Sequence, residues 1–245
     1  MSKVIIVIPA RYQSSRFPGK PLHLFGNKTM IQLVWEKCVK AINFKNVYIA
    51  TDDIRIRDHC VENKMQVVMT SKKCKTGTDR IYEVSKKIDA KIYINVQGDE
   101  PMVKSSDIKK FINYSLLHKN NIINAMTNIS SYSEFKSLNV PKVVYDANNN
   151  LMYMSRSPIP GSKSSLSFSG VKKKQVCIYS FPKLMLKKFG MQRKKTFFEN
   201  FEDIEILRFL EMGYNVKMFN IKQGTIAVDT IADARKVKKL IRNEK

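Results

Sequence analysis

Val4-Ile-Ile-Val-Ile8-Pro9-Ala10-Arg11-Tyr12-Gln13-Ser14-Ser15-Arg16-Phe17-Pro18-Gly19-Lys20-Pro21-Leu22 joins five consecutive β-branched residues to a loop with three cations and two serine hydroxyls. An apolar run of that length, closed by Pro9, reads as a strand buried on both faces. Similar runs follow at 47–50, 67–69 and 92–96, and amphipathic segments at 30–41, 54–63, 79–87 and 107–117 alternate with the four. The alternation predicts an α/β fold: a mostly parallel central sheet, Rossmann-like, with helices on both faces. In open sheets of this kind ligands bind beyond the carboxyl ends of the strands, where the loop after Ile8 must lie.

The second half changes character. Residues 143–145 and 151–154 flank Asp146-Ala-Asn-Asn-Asn150, a β-hairpin signal. Residues 157–174, rich in Ser, Gly, Pro and Lys, read as loop; a strand at 176–180, a helix near 201–212, a strand at 216–219 and a helix at 231–241 complete the chain. With no repeat or linker visible, one domain over 1–245 is expected, carrying a hairpin and loop subregion at about 140–182.

The 245 residues carry 44 Lys+Arg against 21 Asp+Glu, a net charge of +23. Phosphate neutralisation would make nucleic acid a natural partner for such a charge. Yet 34 of the 44 cations are lysines spread along the whole length, whereas base reading recruits arginines and stacking aromatics. No nucleic-acid partner is expected. No window approaches the ~20 apolar residues of a membrane span, and the five-residue apolar run near the N-terminus is far shorter than a signal-peptide core. A cytoplasmic protein without a membrane span is expected. Cys38, Cys60, Cys74 and Cys177 form no C-x-x-C pair, and His23, His59 and His118 are scattered, so neither a disulfide framework nor a zinc site is predicted. Any metal would rest on carboxylates.

Two readings of the first loop stand on its residues alone. It can wrap a triphosphate, with amides and hydroxyls on the oxygens and Arg11, Arg16 and Lys20 neutralising a leaving pyrophosphate; or it is a basic, Pro-kinked surface loop. It is neither a P-loop nor a G-x-G-x-x-G turn. Asn95-Val-Gln97-Gly98-Asp99-Glu100-Pro101 follows an apolar strand; Gly98 lets the backbone turn close to a ligand, and Asp99 projects from the strand end. On its residues alone Asp229, before the last helix, reads as a helix cap rather than a metal ligand, and Asp52 and Asp53 read as caps of the segment at 54.

Residues 8–22 resemble the nucleotide-binding signature of the 3-deoxy-manno-octulosonate (KDO) cytidylyltransferases, on the motif Ile8-Pro-Ala-Arg11-Tyr-x-Ser14-Ser15-Arg16-Phe-Pro-Gly-Lys20-Pro-Leu22. The resemblance recurs in order at Ala50-Thr-Asp-Asp53, Met69-Thr70, Thr76-Gly-Thr-Asp-Arg80, Asn95–Pro101, Tyr153-Met-Ser-Arg156, Ile159-Pro160 and Val228-Asp-Thr230. It implies a nucleotidyltransferase fold, a homodimer built around the hairpin region, and CMP transfer from CTP to an acidic 3-deoxy sugar for lipopolysaccharide assembly. It also implies Mg²⁺ on Asp99 and Asp229, with Arg11 and Lys20 as the other catalytic residues. Pro9, Ala10, Arg11, Ser14, Ser15, Arg16, Lys20, Thr76, Gly77 and Gln97 would bind the nucleotide. Arg80, Gln97, Arg156, Tyr179 and Glu205 would bind the sugar, the arginines through its carboxylate. For Arg156 the alternative is a strand-edge surface charge.

Three departures fall on the sugar side. Gly161-Ser-Lys-Ser-Ser165 replaces a pattern that ends in Arg-Asp, Gln175 stands where the family carries a histidine, and Ile206 replaces a usual glutamine. The acceptor is therefore KDO or, alternatively, an 8-amino variant or another nonulosonic acid.

Overall fold

A computed structural model describes residues 3–14, 16–161, 172–222 and 226–243. The first half runs β1 (Val4–Ala10), the short strands β2 (Leu24–Phe25) and β3 (Lys28–Thr29), α1 (Met30–Ala41), β4 (Val47–Thr51), α2 (Ile54–Glu62), β5 (Val67–Met69), α3 (Gly77–Lys87), β6 (Ile92–Val96) and α4 (Ser105–Leu117). The second half follows with β7 (Ile122–Asn128), α5 (Tyr132–Lys136), β8 (Lys142–Tyr145), β9 (Leu151–Ser155), β10 (Lys173–Pro182), α6 (Lys183–Met191), α7 (Phe197–Glu202), α8 (Leu207–Glu211), β11 (Val216–Asn220) and α9 (Ile231–Asn243).

The main sheet has the order β11-β7-β10-β6-β1-β4-β5. Pairings β1 with β4, β1 with β6, β4 with β5 and β7 with β11 are parallel, and β10 alone runs antiparallel between β6 and β7. The expected mostly parallel sheet is thus present. Both faces are covered, as the unbroken apolar run of β1 requires: Val4, Ile6 and Ile8 pack with Ile31, Val34, Ile108 and Phe111 of α1 and α4, while Ile5 and Val7 face Ile81, Val84, Leu186 and Phe189 of α3 and α6. Each such fully buried aliphatic side chain contributes about 1.5–3 kcal/mol.

Helix starts follow local chemistry. Thr29 and Gln32 form a capping box on α1, Thr76 and Asp79 one on α3, and Asp53 caps α2 through the Arg55 amide. The hairpin β8–β9 closes where predicted, because the Asp146 carboxylate accepts from the amides of Asn148 and Asn150; it is tied into the main sheet by β8 pairing with β10. Helix 201–212 is a correction: the chain makes α7 and α8 instead, broken at Asp203, which adopts φ 49° and ends α7. Strand β7 and helix α6 went unread. Asn124 interrupts the apolar pattern of β7, yet its buried amide donates to Val176 and Ile178 carbonyls where the β7–β10 register shifts. Of the 157–174 loop, residues 162–171 lie outside the described residues, and Lys173–Lys174 belong to β10.

Candidate active site

The loop after β1 turns back at Gly19, whose φ of 71° favours glycine and whose amide donates to the Tyr12 carbonyl at 2.9 Å. Phe17, Phe25 and Met30 then pack with Val228, Ala234 and Val237. This small apolar cluster docks α9 and the segment before it beneath the loop. The Val228 amide also donates to the Asp99 carbonyl at 2.8 Å. As a result Lys20 Nζ lies 2.9 Å from Asp99 Oδ2 and 3.4 Å from Asp229 Oδ1, and Arg16 Nη2 lies 3.3 Å from Asp229 Oδ1. Burial alone would lower the Lys20 pKa, but the two aspartates more than offset it and hold it above its ordinary value.

Asp229 is not the cap of α9. Thr230 takes that role, its hydroxyl accepting from the Asp233 amide, while the Asp233 carboxylate accepts from the amides of Asp229 and Thr230. The Asp229 carboxylate is left facing the cleft. Asp52 likewise pairs with Arg80 at 3.4 Å rather than capping α2.

Beyond β6, a Cβ on Gly98 would stand 3.0 Å from the Pro9 carbonyl and 3.2 Å from Ile31 Cδ1, so glycine lets the turn that carries Asp99 close against β1 without displacing either. A Cβ on Gly77 would meet Gln97 Nε2 at 2.7 Å. That close seat lets Gln97 donate to Glu205 Oε1 at 3.3 Å, while the Thr78 amide donates to Glu205 Oε2 at 3.0 Å. Burial raises the Glu205 pKa. Glu100, which sequence reasoning missed, is buried beside Asp99 with Oε1 accepting from the Cys177 amide and Oε2 unpartnered; desolvation first, and the Asp99 charge second, push its pKa up to about 7. The signal available was its place directly after the strand-end aspartate.

The cleft brings together Pro9, Ala10, Arg11, Ser14, Arg16, Lys20, Thr76, Gly77, Arg80, Gln97, Asp99, Arg156, Tyr179, Glu205 and Asp229. Ser15 lies outside the described residues. Arg11 is exposed. Arg80 is buried, its guanidinium committed to Asp52 and the Thr70 hydroxyl. Arg156 is no strand-edge surface charge: Nε, Nη1 and Nη2 donate to the carbonyls of Glu202, Leu138 and Asp203. Tyr179 is buried and stacked on Phe181, with its pKa raised by burial. Gln175, at the histidine position of the resemblance, donates to Asn124 Oδ1 at 3.1 Å. Sequence reasoning also missed Lys195 and Asp203, an ion pair on the cleft wall at 2.7 Å.

At about 1170 Å³ the cleft exceeds the usual range for a single small ligand, and has room for a nucleotide beside a second substrate. No group of three or more His, Cys, Asp and Glu stands together among the described residues. The donor chemistry is that of a hard cation: Asp99 and Asp229, with side chains 27% and 35% exposed, already share a positive group, and Mg²⁺ takes one or two carboxylates with phosphate oxygens and water completing its shell. The two residues fit that ion. Among the described residues no helix is long and apolar enough to cross a membrane.

Comparison with known proteins gives the family. A cytidylyltransferase family model matches residues 5–223. The 3-deoxy-manno-octulosonate cytidylyltransferase of Escherichia coli is 35% identical over 244 residues, covering 100% of this chain and 98% of the relative. That of Parabacteroides distasonis is 38% identical over 253 residues, covering 99% and 100%. A solved structure of CMP:2-keto-3-deoxy-manno-octonic acid synthetase complexed with CTP superposes with a TM-score of 0.91 at 34% identity over 100% of both chains. A putative glucose-1-phosphate thymidylyltransferase from Bacillus anthracis, 14% identical with a TM-score of 0.69 over 98% and 95% of the two chains, shares the fold alone. The two carboxylates meeting at one lysine thus sit in a chain that belongs to the 3-deoxy-manno-octulosonate cytidylyltransferase family.

Proposed function

We propose that this chain transfers CMP from CTP to 3-deoxy-manno-octulosonate for lipopolysaccharide assembly. The observation that carries the proposal is Lys20 held between Asp99 and Asp229 at the carboxyl ends of β1 and β6. The anomeric hydroxyl of the sugar acid attacks the α-phosphorus of CTP; a bond forms from that oxygen to phosphorus as its proton passes to water, and the bond to the bridging oxygen breaks, releasing pyrophosphate. Little covalent chemistry falls to the protein, which positions and neutralises.

The loop after β1 offers Ser14, Arg11, Arg16 and Lys20 to the triphosphate, so that negative charge gathering on the leaving pyrophosphate meets fixed cations. Thr76, Gly77 and Gln97 frame the nucleoside, and Gln97 and Glu205 reach the acceptor from one hydrogen-bonded pair. Arg156 keeps two of its five N–H groups beyond its three carbonyl bonds for the sugar carboxylate. Asp99 and Asp229 would hold Mg²⁺, which when bound supplies charge neutralisation at phosphate oxygens and a lowered hydroxyl pKa. No histidine lines the cleft among the described residues.

The expected homodimer belongs to the same proposal, supported by Met152, Phe197 and Phe201 exposed at and beside the hairpin; sedimentation velocity tests it. The reaction would run in the cytoplasm, the compartment that supplies CTP. Pyrophosphate release assayed with each nucleoside triphosphate and a panel of sugar acids tests the activity. CTP with KDO is expected to react fastest; preference for an 8-amino acid or another nonulosonic acid would redirect the acceptor, which the Gln175 position favours testing, and no turnover with CTP would overturn the proposal.

A further inference from the structure

Lys142, the first residue of β8, has no exposure to solvent. Its ammonium donates to three carbonyls: Ser137 at 2.8 Å, Val140 at 2.7 Å, and Arg156. Three donors with three acceptors use its full capacity. Keeping an ammonium buried on carbonyls rather than on a carboxylate is costly, and an apolar side chain of the same length would avoid that cost only by leaving the three carbonyls without this donor. What the charge adds is geometry.

Those carbonyls belong to two stretches of one wall. Ser137 and Val140 bracket the loop between α5 and β8, and Arg156 follows β9. Arg156 donates from its guanidinium to Leu138 in that loop at 3.0 Å and to Asp203 at 3.1 Å, while its amide donates to Glu202 Oε2 at 2.8 Å. Ser155, the register partner of Lys142, donates to Glu202 Oε1 at 2.6 Å. A continuous series of bonds therefore runs from the 137–140 loop through Lys142, Arg156 and Glu202 into the 203–205 turn, which ends at Glu205. Leu138, Asp203 and Glu205 all line the cleft.

We propose that Lys142 is a positioning residue whose ammonium, through Arg156 and Glu202, holds the 137–140 loop and the 203–205 turn together as the acceptor-facing wall of the cleft. The word acceptor rests on the proposed function; the joint itself does not. The test compares wild type with Lys142→Met and Glu202→Gln, the second breaking the same series from its other end. It measures the KM values for KDO and CTP, kcat, the CTP dissociation constant by calorimetry, and amide hydrogen exchange.

Lys142→Met is expected to raise the KM for KDO by about tenfold or more, the scale of a lost charge-assisted hydrogen bond, and Glu202→Gln by less. CTP affinity should stay within about twofold in both, because Thr76 and Gly77 are anchored by their own capping box. Exchange should quicken at 137–140 and at 203–205 together, extending to the Thr78 amide that bonds Glu205, with the rest of α3 unchanged. KM values for both substrates rising in parallel, or exchange quickening at 137–140 alone, would overturn the proposal. Should Lys142→Met not fold, Glu202→Gln decides by the same criteria. If wild type turns over no sugar acid with CTP, the proposed function fails while the exchange pattern still judges the joint.

Discussion

Lys20→Met removes the cation shared by the two aspartates. At separations of 2.9 and 3.4 Å, each pair attracts by about 5 kcal/mol at an effective dielectric of about 20, before any desolvation is counted. Burial of the ammonium opposes this, and the raised Lys20 pKa says that the aspartates win. Because those carboxylates are 27% and 35% exposed, water screens the pairs, and the net loss on substitution should be about 1–2 kcal/mol. For a chain of this length that lowers Tm by roughly 2–8 °C. The lysine's folded pKa lies above its unfolded value, so its contribution is complete below about pH 10 and fades as pH rises through the folded value. Wild type and variant should therefore differ by a constant amount from pH 7 to about pH 9. Turnover should fall by about 10²–10³, the effect of removing one group that stabilises transition-state charge. Freed of their internal cation, Asp99 and Asp229 should bind Mg²⁺ more tightly, so that Mg²⁺ raises the Tm of the variant more than that of wild type. Pyrophosphate-release kinetics and melts with and without Mg²⁺ read both effects. Turnover within threefold of wild type, or equal Mg²⁺ increments in the two proteins, would refute the reasoning.

Asp99→Asn should abolish pyrophosphate release while circular dichroism stays unchanged, since the Val228 amide bonds to the backbone carbonyl of this residue and not to its side chain; near-normal activity would remove Asp99 from the site. Glu100 has its pKa raised to about 7 from an ordinary value near 4.3, so between those values the folded chain holds a proton that the unfolded chain releases. Its contribution is complete below about pH 4 and is lost as pH approaches 7, by up to about 3 kcal/mol. Denaturant unfolding of Glu100→Gln should flatten that slope, and an unchanged slope would assign it elsewhere. Arg208→Met leaves Glu199, which has no exposure, without the guanidinium that holds both its oxygens at 2.6 Å. A loss of about 3–5 kcal/mol is expected by thermal or denaturant unfolding.

Much of the first half was legible because its signals are local. The apolar run of β1 and the amphipathic period of α1 each depend on neighbours within a few residues, and Gly98 signals a turn locally although what crowds it, the Pro9 carbonyl and Ile31, is remote in sequence. Strand β7 was hidden by Asn124, a polar residue in an apolar run whose reason is a register shift in another strand. The break of the predicted 201–212 helix at Asp203 was hidden as well, because the residue takes a left-handed conformation that helix propensity does not forecast.

At the site the division is one of distance along the chain. The amino-acid sequence by itself determined an α/β sheet, a cationic loop at a strand end and a carboxylate beside it, since periodicity and turn chemistry are short-range. Only the tertiary structure decided which charges meet. Lys20 finds Asp99 across 79 positions and Asp229 across 209, Arg156 turns from the surface to three carbonyls, and Lys142 is buried without a carboxylate bound to it. No local pattern encodes those encounters: each exists because apolar clusters on both faces of the sheet and beneath α9 bring remote segments to one cleft, where the ions take the partners that folding leaves within reach.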